Sequence, residues 1–596
     1  MSGNKLDKNR TLTIQITAEF RENPSCLPCR PSASPRGEQA GLWHPNSIFF
    51  FLLIIVLFNG TNSAQTEYIP SDNPVYNFLE RMESLQIIND YNSFEIPKTR
   101  NNIAGYLKEV IQNENKLDEV DKKILGDLKV EFEFEIFNTL NNSESLIGSG
   151  HYDFFSQKEK YLFYLYDSSR ANFFINILGE GEGIFLNSSS AKTSAVLTSI
   201  GGEIRGTFLN HFGFLLKGTN GFVSGSKQAA TARKDLSYNY KLNETPDETF
   251  FDETEGYLTT DFDLIRFKFG RDRMKIGYGN IKSFLDDNSP LFDYLSLNLK
   301  YEFFSFSYFH GKLQGNPSVE FDSVSGHSNV VEEKYFGYHR LGFNISEDFD
   351  FGLGEMIIYG GRPLDFSYLN PFSFYKSIEH SNRDRDNAML FLDFNNNSFE
   401  GLKLFFTFLI DDIKFGKIGT GWYGNQTAIN AGLKSYNFYG LLPVDIQFEY
   451  LRLEPYTFTH RLSRNSFTNF NYNLGSFLQP NSELFFLQIN YRFNHRLDFS
   501  VNWSYTLHGA NPKNPDGSVK ENVGGDILLG HRIFDSDETN FLDGDMEYYR
   551  RFSISLNFEP VNRYFITFRV INFNDSLQLK KSVKETQAFL RLGIRF

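Results

Sequence analysis

From about residue 130 to residue 596 apolar and polar side chains alternate with a period of two, and no other feature so limits what this chain can fold into. Successive side chains of an extended strand point to opposite faces, so the alternation describes strands with one apolar and one polar face. The last of them shows it plainly: Ala588, Leu590, Leu592, Ile594 and Phe596 alternate with Gln587, Arg591, Gly593 and Arg595. A soluble sandwich shows the same alternation, but over about 100 residues and with turns every 8 to 12 or so. Here it persists for more than 450 residues. Beyond residue 64 no run approaches the roughly 18 uncharged apolar residues of a membrane-crossing helix. A membrane β-strand needs only about 9 to 11, because one face meets lipid and the other the lumen. The expected fold is mainly β, a transmembrane antiparallel β-barrel preceded by a small α-helical domain.

The 65 Phe and 31 Tyr concentrate the apolar content in rings, which at strand ends suit the boundary between lipid and water. At Val130 the pattern switches: Val130, Phe132, Phe134 and Ile136 alternate with Glu131, Glu133 and Glu135, which predicts a first strand. Further strands are expected at 301–309, 402–410, 445–453, 485–493, 552–558 and 564–570. At about ten residues per strand, residues 130–596 accommodate roughly 16 to 20 strands, with about 18 the central expectation. Polar stretches at 219–256, 311–333 and 508–546 are candidate external loops. A final amphipathic strand ending in Phe resembles the assembly signal of outer-membrane barrels.

Residues 1–64 read as a leader and signal peptide. The apolar core at 48–58 is too short to span a bilayer but suits a signal peptide, and Ala64 offers a cleavage site. Residues 1–44 are polar and out of place before such a core, as expected of a start codon assigned too far upstream. Cys26 and Cys29 lie in this leader with no second pair, so neither a zinc site nor a redox motif is expected.

Residues 73–129 have a helical period instead, in a helical domain expected over 65–129. Val75, Phe78, Leu79, Met82 and Leu85 share one face, and Ile103, Leu107, Val110 and Ile111 another, with Thr99 placed to cap the second helix. Leu117, Val120, Ile124, Leu125 and Leu128 suit a third. Such a bundle is too small to be stable without help from the barrel or a partner, and a periplasmic position is expected. The stretch Asn77-Phe-Leu-Glu-Arg-Met-Glu-Ser-Leu-Gln-Ile-Ile, with Phe94-Glu-Ile-Pro-Lys-Thr-Arg100 and Ile103-Ala-Gly-Tyr-Leu, resembles one S-layer-homology module. Such modules usually come in threes and bind cell-wall polymers. With one copy visible, structural support is favoured over wall binding.

Several ordered patterns run through the barrel region. They are Gly270-Arg-Asp-Arg-Met-Lys-Ile-Gly-Tyr-Gly279, Phe284-Leu-Asp-Asp-Asn-Ser-Pro-Leu-Phe-Asp-Tyr-Leu295, His339-Arg-Leu-Gly-Phe, Gly354-Glu-Met-Ile-Ile-Tyr-Gly-Gly361, Tyr368-Leu-Asn-Pro-Phe372, Asp386-Asn387, Leu409-Ile-Asp-Asp-Ile413 and Glu449-Tyr-Leu-Arg-Leu-Glu-Pro-Tyr-Thr-Phe-Thr-His460. Together they resemble the capsule assembly protein Wzi family, outer-membrane barrels with an N-terminal helical part. Where that family often has Trp in the Gly-rich segment, this chain has Lys275-Ile276. The resemblance implies a lectin-like surface protein, without catalysis, that helps attach exported capsular or related polysaccharide. Sugar recognition calls for aromatic faces beside side chains that hydrogen-bond hydroxyls or carboxylates. Segment 368–387 is dense in both, with Tyr368, Asn370, Tyr375, Glu379, His380, Arg383, Asp384, Arg385, Asp386 and Asn387, and Arg forks suit an acidic polysaccharide. Arg271, Glu355, Arg362, Asp411 and Asp412 complete the candidate set. The favoured plainer reading is that Arg271, Glu355, Arg362 and Asp411 form wall-to-wall salt bridges that close a polar lumen.

Other functions fit less well. The net charge of -14 argues against nucleic acid. A porin is the main alternative, and the extra helical domain weighs against it. A barrel enzyme needs a nucleophile with an oriented base, and Gly221-Phe-Val-Ser-Gly225 has the wrong spacing. A TonB-linked transporter needs a far larger plug domain. Asp535-Ser-Asp-Glu-Thr-Asn begins like a calcium loop but lacks its Gly and final acid, so neither metal nor cofactor is expected. The partners expected are polysaccharide and outer-membrane lipid, around a monomer.

Overall fold

The alternating strands close on themselves. A computed structural model describes residues 65–596 apart from 149–151, 168–170, 190, 240–241, 243–248, 263, 321–327, 441–442 and 579–580. The leader, the Cys26/Cys29 pair and the Ala64 cleavage site lie outside the described residues. The wall runs in chain order through β1 (Ala171–Ser188), β2 (Lys192–Phe208), β3 (Phe212–Gly225), β4 (Phe250–Asp261), β5 (Ile265–Arg271), β6 (Asp293–Tyr301), β7 (Phe304–Glu320), β8 (Ser328–Ser346) and β9 (Phe349–Gly360). It continues through β10 (Asn387–Phe399), β11 (Leu402–Asp412), β12 (Gln426–Ser435), β13 (Val444–Leu453), β14 (Ser482–Asn494), β15 (Leu497–Ala510), β16 (Asp545–Phe558), β17 (Tyr564–Ser576) and β18 (Ser582–Arg595). Each strand pairs antiparallel with the next, and β18 pairs with β1 from Leu178 to Ser188, closing an 18-stranded barrel. A short strand, Phe163–Asp167, pairs with the start of β1.

Directly paired residues point to one face, so register sorts the whole wall. On β11, Lys403, Phe405, Thr407, Leu409 and Asp411 are buried toward the lumen, while Leu404, Phe406, Phe408 and Ile410 face outward. Outward rings meet at both ends of the wall: Phe208 stacks on Phe212 at 5.4 Å, and Phe222 meets Phe250 at 5.3 Å.

The two ends differ. At one, strands join through tight turns such as 302–303, 347–348, 400–401 and 495–496. At the other lie the long connections 226–249, 272–292, 361–386, 413–425, 454–481 and 511–544. Two expected loops, at 219–256 and 508–546, contain such connections. The third, 311–333, is mostly strand, because β7 and β8 stay paired out to Glu320 and Ser328. The expected strand 301–309 is broken by a turn at Glu302, whose φ of 47° ends β6. Aromatic density on both sides hid that turn.

The helical domain comprises α1 (Val75–Ser84), α2 (Arg100–Gln112), α3 (Glu119–Glu131) and α4 (Glu133–Phe137). Thr99 caps α2 by accepting from the Asn102 N–H, and Asp118 caps α3 by accepting from Val120 and Asp121. The strand expected at 130–136 is helix instead, so the wall does not begin at 130. In so short a run, Val130 with Phe134 and Phe132 with Ile136 also satisfy helical spacing. Tertiary partners decide the outcome. Glu135 pairs with Arg100, Glu131 with Arg563, and Glu133 accepts from the N–H groups of Asn141 and Asn142.

The bundle docks on the tight-turn end. Arg81 donates to Asp445 at 2.8 Å and Asn437 at 2.7 Å on the barrel, and to Asp121 of α3. Arg492 reaches the same Asp121 at 2.7 Å, and Arg496 holds Asp127 at 2.8 Å. The Gly401 N–H donates to the Ser84 carbonyl at 2.6 Å. A barrel-held bundle therefore replaces a free one, as its small size requires. Arg81→Met is expected to loosen this docking by about 3–5 kcal/mol, since it strands buried carboxylates. Limited proteolysis should then cut residues 65–137 while the barrel remains intact.

Candidate functional site

Two inward-folded segments meet inside the ring. From the tight-turn end, Glu95–Ile96 enters the lumen and pairs antiparallel with Lys275–Ile276 of connection 272–292, which descends from the long-loop end. Phe94 lies 4.9 Å from Tyr278 and stacks on Phe391 of β10. Arg340 of β8 donates two bonds of 2.8 Å to Asp393 of β10, with its guanidinium 4.6 Å from the Phe94 ring. Tyr278 donates to Asp393 at 3.2 Å, and Glu95 accepts from Tyr338 and Ser307 at 2.5 Å each. Glu449 of β13 accepts from the N–H groups of Asn280 at 2.6 Å and Ile281 at 3.2 Å. Gly279, with φ of 71°, must be glycine here, because a Cβ would lie 2.4 Å from the Glu449 carboxylate. Connection 454–481 adds Phe458, Phe467 and Leu474 to the same apolar cluster.

A cavity beside Lys98, Arg266 and Lys300 measures about 190 Å³, below the roughly 300–1,000 Å³ of small-molecule pockets. Elsewhere the inner face of the wall carries ion pairs between nearby strands, including Arg595–Glu203 at 2.5 Å, Lys217–Glu255 at 2.7 Å and Arg591–Glu182 at 3.3 Å.

The residues singled out from sequence do not form one lumen network. Glu355 faces outward on β9, where it accepts from His339 at 3.1 Å and the Tyr375 N–H at 2.8 Å. Connection 361–386 lies over it as a flap against the outer wall, burying Tyr368 and Tyr375. Within the flap Arg362 binds Asp386 through two bonds of 2.7 and 2.8 Å, Tyr368 donates to Asp386 at 2.8 Å, and Lys376 pairs with Glu379 at 2.7 Å. Asn370 caps the Phe372 N–H at 3.2 Å. Arg383, Asp384 and Arg385 are exposed at the flap's return. Asn387 and Asp411 do face the lumen: Asn387 donates to the Asn465 carbonyl, and Asp411 accepts from the Phe458 N–H at 2.6 Å, pinning connection 454–481. Asp412 is exposed, and Arg271 pairs with Asp293 at 2.9 Å at an exposed strand end. Glu355 and Arg271 therefore take no part in the wall-to-wall bridges expected of them, because register turns both outward.

A family model for the capsule assembly protein Wzi matches residues 190–559. The chain belongs to this family. Among solved structures, the Escherichia coli outer-membrane protein Wzi aligns with a TM-score of 0.53 at 11% identity, covering 89% of this chain and 99% of its own. It is described as involved in group 1 capsule assembly and as a carbohydrate-binding β-barrel. The Pseudomonas aeruginosa barrels OccK8 (OprE) and OprD give TM-scores of 0.43 and 0.42 at 11% and 9% identity. They cover 71% of this chain and 98% and 92% of their own. No curated protein matches. The pattern at 270–279 leads into the inward hairpin, and those at Glu449 and Asp411 hold the inward loops.

Missed from sequence were the residues that seat α1: Lys403, fully buried, binds Glu80 at 3.1 Å and Glu83 at 3.5 Å, and Lys434 binds Glu80 at 3.0 Å. Both lysines occupy inward positions on their strands, which was the available signal. Burial pushes the Glu80 carboxyl up, but Lys403 and Lys434 outweigh it and hold the group well below the usual carboxylate range. Burial dominates at Glu83 and raises it to about 8, against the opposing pull of Lys403. A folded-state value above the unfolded one means that this contribution is whole in acid and is lost as pH rises through about 8. Docking of residues 65–137 should therefore weaken between about pH 5 and about pH 9, and Glu83→Gln should flatten that profile. Proteolytic release of the bundle at each pH measures it.

Proposed function

We propose that this protein is an outer-membrane barrel that holds an acidic capsular or related polysaccharide at the cell surface through its long-loop rim. The observation that carries the reading is the lumen occupied by segments from both ends, which leaves the rim to display aromatic and cationic groups. Family membership supports it. Short turns on the periplasmic side and long loops outside are the rule for such barrels, so the helical domain is assigned to the periplasm. There it acts as a plug held by the barrel, in preference to a binder of cell-wall polymer, because Glu80, Glu83, Asp121, Asp127 and Glu131 are committed to the wall.

On the rim, connections 413–425 and 511–544 lock together. The Tyr423 N–H donates to the Asp537 carbonyl at 3.1 Å, and the Thr539 N–H to the Gly421 carbonyl at 2.7 Å. Lys414 and Lys417 lie 5.7 and 5.6 Å from the Trp422 ring, and Tyr423 stacks on His531 at 3.5 Å. Phe415, Ile418 and Phe534 are exposed beside them. Rings offer flat faces to the C–H side of a sugar, and ammonium groups pair with uronate or other acidic substituents. A polymer engages many such sites in succession, so modest contacts add through avidity.

Trp422→Ala with Lys417→Ala is expected to weaken retention of an acidic polysaccharide by about 1 kcal/mol per repeat engaged, roughly fivefold. Unchanged retention contradicts the rim. In planar bilayers the intact protein should conduct ions poorly; large, stable single-channel currents with no glycan retention turn the reading to a porin. In cells, deletion should shift polysaccharide from the attached to the released fraction.

A further inference from the structure

The flap at 361–386 lies outside the barrel, and its lowest point reaches the part of the wall that faces acyl chains. From Gly361 the chain descends the outer face of β7–β10 and then returns upward through the helix Tyr375–Ser381 to β10. Its tip, 370–374, sits low on the wall: Tyr308 donates to the Leu369 carbonyl at 2.7 Å, and Phe372 stacks on Phe306 at 5.2 Å. Phe306 belongs to a lateral row of outward residues, because register pairs Phe306 with Leu341, Leu341 with Leu353, Leu353 with Leu392, and Leu392 with Phe408. Every member of that row is apolar. On β11 it is two outward positions below Asp412, where the wall turns polar.

Three further features fit immersion in lipid. Phe366, Phe372 and Phe374 are 79%, 72% and 57% exposed, so that even Phe372, stacked on Phe306, leaves most of its ring free to meet lipid. Several polar groups of the tip and of the wall beneath pair with one another, which lowers the cost of placing them at membrane depth. The N–H groups of Phe372 and Ser373 donate to Asn370, Pro371 has none, and the N–H of Tyr375 donates to Glu355. Glu355 itself lies beside Leu390 and, through it, Ile410, a lateral row no carboxylate occupies in contact with acyl chains unless covered and hydrogen-bonded. The flap's exposed charged residues, Arg383, Asp384 and Arg385, lie at its opposite end, nearest the long loops, while Lys376 is paired with Glu379, and Arg362 with Asp365 and Asp386.

We propose that this flap is a lipid-embedded wedge: Phe366, Phe372 and Phe374 insert among the acyl chains of the outer leaflet, while the return segment stays at headgroup level. The inference rests on the membrane assignment made above, and it removes Tyr368 and Tyr375 from any sugar-stacking role. It also gives Glu355 a function, as the anchor that draws the tip onto the wall.

The test uses the full-length protein in phosphatidylcholine vesicles whose acyl chains carry bromine. Trp43, Trp422 on the rim and Trp503 on the outer face of β15 are replaced by Phe, and Phe372→Trp supplies the reporter. Its emission is expected to be quenched by brominated chains as strongly as that of a variant retaining only Trp503, and to resist aqueous iodide. Quenching by iodide with none by bromine, while Trp503 still reports lipid, overturns the wedge alone. Failure of Trp503 to report lipid overturns the membrane assignment instead. Phe374→Trp, at the same tip, reads the same depth should Phe372→Trp fail to fold.

Discussion

Charge inside a closed ring has to be paired, and much of this molecule follows from that requirement. Closing eighteen strands sends one face of each inward, and here that face carries Lys403, Lys434, Arg340, Asp393 and Glu449. Once loops fold in, bulk water no longer solvates these groups, and an unpaired buried charge is among the most destabilising features a fold can hold. The helical domain answers part of the need by bringing the Glu80 carboxylate to Lys403 and Lys434. The inward hairpin answers another part, giving Glu449 two backbone donors and placing Tyr278 on Asp393. Plug and wall are thus complementary, and neither is electrostatically complete alone.

The same logic operates on the outer face with the opposite solvent. Glu355 and His339 lie at outward positions where lipid offers no partners, and the flap supplies them from its backbone and rings. Gly354-Glu-Met-Ile-Ile-Tyr-Gly-Gly361 and Tyr368-Leu-Asn-Pro-Phe372 are therefore one structural unit, a polar wall segment and the cover it requires. Residues of the motifs singled out as a candidate binding constellation fasten loops. Asp411 fastens connection 454–481, and Asp386 fastens the flap through Arg362 and Tyr368.

Much of the fold was legible because period-two alternation is a local signal that survives without tertiary information. The strands at 402–410, 445–453, 485–493 and 564–570 lie within observed strands, as does the capped helix after Thr99. The failures are local ambiguities settled from a distance. Residues 130–136 satisfy both periods, and Arg100 and Arg563, distant in sequence, select the helix. The site was harder to read. Alternation shows that two faces differ, but not which face of β9 is inside; one residue of register separates Glu355 on the outer wall from a place in the lumen. Nor does any local pattern announce that 272–292 and 361–386, both rich in aromatic and charged residues, fold to opposite sides of the wall.

The central claim is that the inward hairpin and the Phe94 segment are a permanent part of the fold. Hydrogen exchange on the protein in lipid nanodiscs tests it most directly, through the amides of Ile276 and Gly277, which donate to Leu285 and Phe94 at 2.9 and 2.8 Å. A settled plug predicts exchange as slow as that of the neighbouring wall strands. Exchange at the rate of an unstructured loop would contradict it and leave an open lumen in its place.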